Sequence, residues 1–190
     1  FMPKLGAEPI RKAALIKAAI VTVGRKGSLD VTVAQIAREA GMSTALAHHY
    51  FGSKERIFLA AMRHILTQYG NASREALKGA DTPRHRLFAI VHASFGGSNF
   101  ESETAAAWLN FYALALVDAD VARLLRVYHR RLRSNLMLCL RPLIGADAPA
   151  TALTLGALID GLYLRGVLSN DLDGPTAEGL ILDYLQKVLP

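Results

Sequence analysis

Three hydroxyl-bearing residues, Thr32, Ser43 and Ser53, each open a run that favours helix: VAQIAREA, TALAHHYF and KERIFLAAMRHI. A side-chain oxygen at such a position accepts a hydrogen bond from a free backbone N–H of the first turn, so each marks a helix start. Gly41 closes the first run, and a glycine there permits the sharp exit that other residues resist. The spacing leaves room for two helices of about two turns each, a tight turn between them, and a longer helix from Lys54 onward. Helices that short are unstable alone, so this pair must fold against its neighbours. Few arrangements satisfy that condition, and helix-turn-helix is the foremost.

The remaining sequence carries the same helical punctuation and nothing that reads as a sheet. A first helix is expected over about residues 9–26, with Ala14, Ile16, Ala18, Ala19 and Val23 in helical rhythm and Gly27 as its stop. Later breaks fall at Thr82-Pro83, at Gly96-Gly97-Ser98-Asn99, near Asp118 to Asp120, at 145–149 and at 171–175. The expected fold is all-α with about nine helices. Its 190 residues, 52% of them hydrophobic, suffice for a substantial core. The boundary is expected at the start of the long helix, giving a domain at 1–54 and a larger helical one at 55–190.

Charge is distributed unevenly. The first 56 residues hold nine Lys and Arg against four Asp and Glu, nearly all of the chain's +6 excess. A polyanion partner for this end follows, double-stranded DNA being the one a helix-turn-helix serves. In that motif the second helix enters the major groove. Ala34, Ile36, Ala37 and Ala40 are expected to let the first helix pack closely, with Met42 and Leu46 anchoring the second. Thr44, Ala45, Ala47, His48 and His49 are left to face the groove, with Tyr50 and Lys54 at its rim. Imidazole and hydroxyl groups hydrogen-bond base edges or phosphate, and Ala methyls meet thymine methyls. The histidines have a plainer reading as surface residues. As metal ligands they are poorly placed, because adjacent residues on a helix point about 100° apart.

The segments 31–37 (VTVAQIA), 40–43 (AGMS) and 49–55 (HYFGSKE) together resemble the TetR-type transcriptional repressors. His48 departs from the aromatic residue usual there. The resemblance implies an N-terminal three-helix DNA-binding domain and a larger C-terminal domain for ligand binding and dimerisation. It assigns DNA contact to the region containing Thr32, Ser43, Thr44, Ala45, His48, His49, Tyr50 and Lys54. The opening MPKLGAEPIRKAALI, the segment 118–136 and LIDGLYLRGVL at 158–168 are similar to a choline-responsive branch of that family, which governs glycine betaine synthesis genes. Implied partners are a palindromic operator, a second copy of the chain and a small effector such as choline. Another small metabolite is the alternative effector.

The C-terminal sequence offers chemistry suited to a quaternary ammonium. Trp108, Phe111 and Tyr112 share one helical face at i, i+3 and i+4. Phe88, His92 and Phe95 make a similar stripe, and Tyr128, Asp160 and Tyr163 are candidates to close the remaining sides. Such a cation donates no conventional hydrogen bond, so aromatic faces and a carboxylate are what recognise it. Aromatics at this spacing also serve simply as core. Asp160 is the telling residue, because a carboxylate in so apolar a helix needs a partner, Arg165 or a group on another helix. The last two helices carry the expected dimer face. Gly156 and Gly161 allow close approach, and Leu180 and Tyr184 belong to an apolar stripe with Ala177, Ile181, Leu185 and Val188.

An enzyme is not expected: GxxxxGK[ST], HExxH, CxxC and GxSxG are all missing from the sequence. No cofactor or metal is expected either. The lone Cys139 and the lack of a charged-then-apolar leader point to a cytoplasmic chain. The apolar segment 151–168 is broken by Asp160 and Arg165, so it reads as a packing helix and no membrane partner is expected.

Overall fold

The computed structural model describes residues 7–96, 101–169 and 172–190. The expected break at Gly97-Ser98-Asn99, Asp171 of the last break and the first six residues lie outside the described residues. Among the described residues there are nine α-helices and a 3-10 turn at Gly145–Asp147. They are α1 (Ala7–Lys26), α2 (Val33–Glu39), α3 (Thr44–Phe51), α4 (Lys54–Leu77) and α5 (Pro83–Phe95), then α6 (Ser102–Leu114), α7 (Ala119–Ile144), α8 (Ala148–Ser169) and α9 (Gly174–Val188).

The caps carry this regularity. Thr32 accepts from the Gln35 N–H while the Gln35 side chain takes the Thr32 N–H, a reciprocal pair satisfying two otherwise free donors. Ser43 accepts from Leu46 N, Ser53 from Arg56 N and Thr82 from His85 N. Asp118 starts α7 by accepting from Asp120 N and Val121 N. Gly41 adopts φ 65°, so the turn between α2 and α3 has the left-handed conformation that favours glycine.

Two hydrophobic clusters organise the helices. The first joins Leu15, Ala19 and Val23 of α1, Ile36 and Ala37 of α2, Ala47 of α3, and Ile57, Phe58, Ala61 and Met62 of α4 to Trp108 and Phe111 of α6. The second packs Leu87 and Ile90 of α5, Leu136 and Leu140 of α7, Leu155 and Ile159 of α8, and Ile181 and Leu185 of α9. Helix α4 begins at the expected domain boundary but contributes to the first core for three turns. By length and composition the stretch Ala119–Gly166 is apolar enough to cross a membrane. Within it, α8 buries Thr151, Ala152, Leu155 and Ile159 along a single packing edge.

Two assignments, one inward and one outward, need correction. Ala34 is exposed, because α2 turns Ile36 and Ala37 into the core and leaves residue 34 on the opposite side. Ala47 is fully buried rather than facing outward: it shares a helical face with Tyr50 and Phe51, which pack on the first core.

Helices α1 and α6 meet at backbone contact distance. A Cβ at Gly24 would lie 2.3 Å from the carbonyl oxygen of Glu103 and 2.6 Å from its Cα. Backbone atoms cannot swing aside, so only glycine lets α1 lie against the start of α6. Gly24→Ala is expected to cost about 1–3 kcal/mol by overpacking, read from the midpoint of chemical denaturation. Gly70→Ala on α4, where the added methyl meets open space, should be neutral or gain up to ~1 kcal/mol from helix propensity.

Candidate functional site

Helix α3 presents Thr44, Ala45, His48 and His49 to solvent as one surface. Its buried side is held by Ala47 and flanked by Met42, Tyr50 and Phe51. His48 Nδ1 lies 3.2 Å from the carbonyl oxygen of Gly52, which only accepts, so Nδ1 carries the proton. Tyr50 is half-buried, with the Lys12 ammonium 5.9 Å from its ring centroid, so it joins α3 to α1 as well as bordering the exposed surface. Lys54 sits in the first turn of α4 with its ammonium 5.7 Å from the Phe58 ring, a cation at a helix start beside the exposed face of α3. Thr32 and Ser43 are both exposed at helix starts, their oxygens already used as caps.

The second site is a chamber among α4, α6, α7 and α8. A cavity of about 190 Å³ is lined by Trp108, Leu109, Tyr112, Asp160, Gly161, Tyr163 and Leu164. A narrower recess of about 40 Å³, sharing Trp108, Asp160 and Tyr163, extends past Ile65, Leu66, Tyr69, Ser94, Tyr128 and Ile159. Trp108 is the central wall. Its ring meets Tyr112 at 5.2 Å and Tyr128 at 5.6 Å, both edge-to-face, and Tyr128 meets Tyr69 at 5.7 Å. Edge-to-face packing fixes the ring planes and so the faces left toward the cavity.

Asp160 is the carboxylate lining both spaces. The Tyr112 hydroxyl donates to its Oδ1 at 3.1 Å, and His129 Nε2 lies 3.3 Å from its Oδ2. His129 Nε2 also stands 3.3 Å from the Tyr112 oxygen. The partner sought for Asp160 is thus on α6 and α7, and Arg165 points to solvent. Burial pushes the phenols of Tyr69, Tyr112, Tyr128 and Tyr163 above their ordinary range, with the Asp160 charge adding to the shift for Tyr112. All four stay neutral and act as donors or as ring faces.

Five of the eight residues assigned to this site from sequence come together: Trp108, Tyr112, Tyr128, Asp160 and Tyr163. Three do not. Phe111 is fully buried in the first core, with its ring 6.4 Å from that of Phe58. Phe88 packs on the second core under Arg84. His92 pairs with Glu178 of α9 at 3.1 Å. Helical spacing establishes that two residues share a face, but not which neighbour that face meets, and α5 turns this stripe toward α9. Its contribution to the chamber is Ser94, which hydrogen-bonds the Tyr69 hydroxyl at 3.2 Å. Tyr69 and His129 were not singled out from sequence, since neither belongs to an aromatic stripe on its own helix. A larger cleft of about 700 Å³ lies elsewhere, lined by Arg25, His92, Glu101, Glu103, Asp173 and Glu178 among others. Its lining is richer in charged groups than that of the chamber. Among the described residues, no group of three or more His, Cys, Asp or Glu is disposed to hold a metal ion.

Comparisons with known proteins agree with this two-part layout. Residues 15–61 match the family of bacterial regulatory proteins named for tetR, and residues 83–190 match the C-terminal domain of BetI-type transcriptional repressors. The HTH-type transcriptional regulator BetI of Brucella suis is 52% identical over 97% of this chain and 94% of its own length. The regulator of the same name from Agrobacterium fabrum is 49% identical over 99% of this chain and 92% of its own. Among solved structures, a transcriptional regulator from Saccharomonospora viridis in complex with choline superposes with a TM-score of 0.84 over 94% of this chain and 96% of that one, at 21% identity. At that identity the likeness is one of fold. The extent of the family matches decides the matter: this chain belongs to the BetI-type transcriptional repressors of the TetR family, ligand-responsive regulators of DNA and not enzymes.

Proposed function

We propose that the chain acts as a homodimer on a roughly palindromic operator and is released from it by choline or a related quaternary ammonium bound in the chamber. The observation that carries the effector assignment is the pairing of Asp160 with the Trp108, Tyr112 and Tyr163 rings around one cavity of about 190 Å³. A permanent cation without N–H groups gains from aromatic faces and from one negative charge, and this cavity supplies both. Each such face is worth about 0.5–1 kcal/mol when exposed and about 2 kcal/mol or more when desolvated. The choline bound to the Saccharomonospora viridis regulator of like fold supports the same reading.

The dimer assignment rests on the outer face of α8 and α9. Leu153 and Leu168 are 68% and 69% exposed, and Leu180 is 50% exposed. Ala157, Gly161 and Leu164 continue the α8 stripe between them. Ala177, Ile181 and Leu185 of the expected stripe are consumed by the chain's own core, and Tyr184 is half-buried against it. Nothing lies within 4 Å of a Cβ placed at Gly156 or Gly161, so no packing contact within a single chain demands glycine there, although Gly161 also lines the cavity. Each glycine costs about 1 kcal/mol in mid-helix, a cost that close approach by a second copy explains. Two-fold pairing would present two α3 helices to successive major grooves.

Three measurements test these assignments. Lys54→Ala should weaken binding to every DNA sequence and lower the salt slope, whereas Thr44→Ala or His49→Ala should alter the ranking of operator variants. Equal, sequence-blind losses in a gel-shift series would show that α3 is misassigned. Leu168→Glu combined with Leu180→Glu should yield monomers by light scattering without loss of helicity, because both side chains are exposed in the single chain. For the effector, Trp108→Phe should retain part of the choline response and Asp160→Asn should lose at least tenfold in choline affinity by calorimetry, about 1.4 kcal/mol. The neutral carbon isostere of choline should bind much more weakly to the unaltered protein. Equal binding of the isostere would refute the quaternary-ammonium assignment and leave the repressor standing.

A further inference from the structure

Asp160 serves two sides at once. It lines the cavity on one side, while His129, which does not line that cavity, reaches the same carboxylate from α7. The imidazole is held in place. Its Nε2 lies 3.3 Å from both Asp160 Oδ2 and the Tyr112 oxygen, and its ring lies 5.2 Å from that of Tyr128. Both side chains keep access to water, at 44% exposure for His129 and 30% for Asp160. Protons can therefore exchange with solvent while the pair stays intact.

We propose that His129 competes with a cationic effector for the Asp160 carboxylate, so that effector binding displaces a proton and effector affinity falls as the medium is acidified. This rests on the reading of the chamber as a quaternary-ammonium site. With His129 neutral, its N–H orients Asp160 and leaves the full negative charge for the ligand. With His129 protonated, an imidazolium neutralises that charge and repels a second cation from the same carboxylate. The ligand consequently favours the neutral ring.

The sign follows from linkage. At alkaline pH the ring is neutral in both free and bound protein, so affinity is level. On acidification the free protein takes up a proton that the complex resists, and affinity declines, by at most about tenfold per pH unit for one proton. Other groups around the pair do not supply this behaviour. Helix α6 contributes Tyr112 and α8 contributes Tyr163, while α4 contributes Tyr69 beyond Tyr128. Burial keeps all four phenols neutral. Arg126 and Arg133, one turn before and after His129 on α7, are permanent charges. Ser94 of α5 does not titrate, and His92 on that helix is engaged with Glu178 away from the chamber. Imidazole is the side chain whose ordinary titration spans neutrality.

The test is calorimetric titration of the full-length protein with choline chloride in two buffers of different ionisation heat, between about pH 6 and about pH 8. The expected result is release of a fraction of a proton on binding near the acidic end, with affinity about threefold or more weaker there than at the alkaline end. His129→Gln keeps an N–H donor for Asp160 but cannot titrate. It should bind choline with no proton release and a level pH profile, while still binding operator DNA. Absence of proton release in the unaltered protein overturns the proposal, as does an undiminished pH slope in H129Q, and both leave the choline reading intact. Failure of choline to bind at any pH overturns that reading and this proposal with it. If H129Q does not fold, proton release by the unaltered protein decides the matter alone.

Discussion

Helix α6 is the element on which the two halves of the molecule depend. Its Trp108 and Phe111 are buried in the cluster that holds α1 through α4 together, yet Trp108 and Tyr112 also form the wall of the chamber. At its start, Gly24 brings α1 into backbone contact with Glu103. The Arg25 guanidinium bridges Glu39 of α2 at 3.3 Å and Glu103 at 3.9 Å. These ion pairs are exposed and contribute little stability. The glycine contact and the buried rings are what tie α6 to α1 and the first core. A helix tied so closely at one end and lining a cavity along its length cannot shift at the cavity without disturbing α1.

Close packing determines how such a disturbance travels. Interiors at crystal-like density do not deform continuously, so a displaced ring moves its helix or changes partner. Trp108 is held edge-to-face by Tyr112 and Tyr128, with the Tyr69 ring behind Tyr128. The aromatic cluster spans α4, α6 and α7, and α4 begins with Lys54 beside the exposed face of α3. Helix α4 therefore runs from the helix-turn-helix to the chamber, and α6 joins the chamber to α1, which packs on α2.

Much of this was legible in the sequence because it is written locally. Thr32, Ser43 and Ser53 cap helices through bonds to residues three positions away, and the Gly41 turn needs only its own backbone freedom. Asp160 was recognisable as a group requiring a partner, since a carboxylate within an apolar helix is costly unless satisfied. What the sequence withheld was orientation between helices. Phe88 and His92 share a face as their spacing requires, but that face meets α9, while Phe111 turns to the first core and Trp108, three residues earlier, turns partly to the cavity. Ala47 was misjudged for the same reason, its small size being compatible with either side of α3. Tyr69 and His129 were invisible as site residues because their significance arises only where α4 and α7 meet α6 and α8.

With the chamber as the proposed effector site, reciprocity limits what it would have to achieve. An effector that lowers operator affinity must itself bind less tightly to the operator-bound form, by the same factor. A coupling of about 1–3 kcal/mol gives a change of about 5- to 150-fold, which is sufficient for a transcriptional switch. That is less than the cation–π and charge contributions available from two rings and one carboxylate, so the two forms need differ only in part of the cage. Tyr112 is the member through which such a difference passes most directly. It lines the cavity, packs on Trp108 and donates to Asp160, while belonging to the helix that Gly24 fixes to α1. On the proposed reading, a shift of α6 that altered the spacing of paired α3 helices would also change the distance between the Tyr112 ring and the Asp160 carboxylate, to which a bound cation would respond.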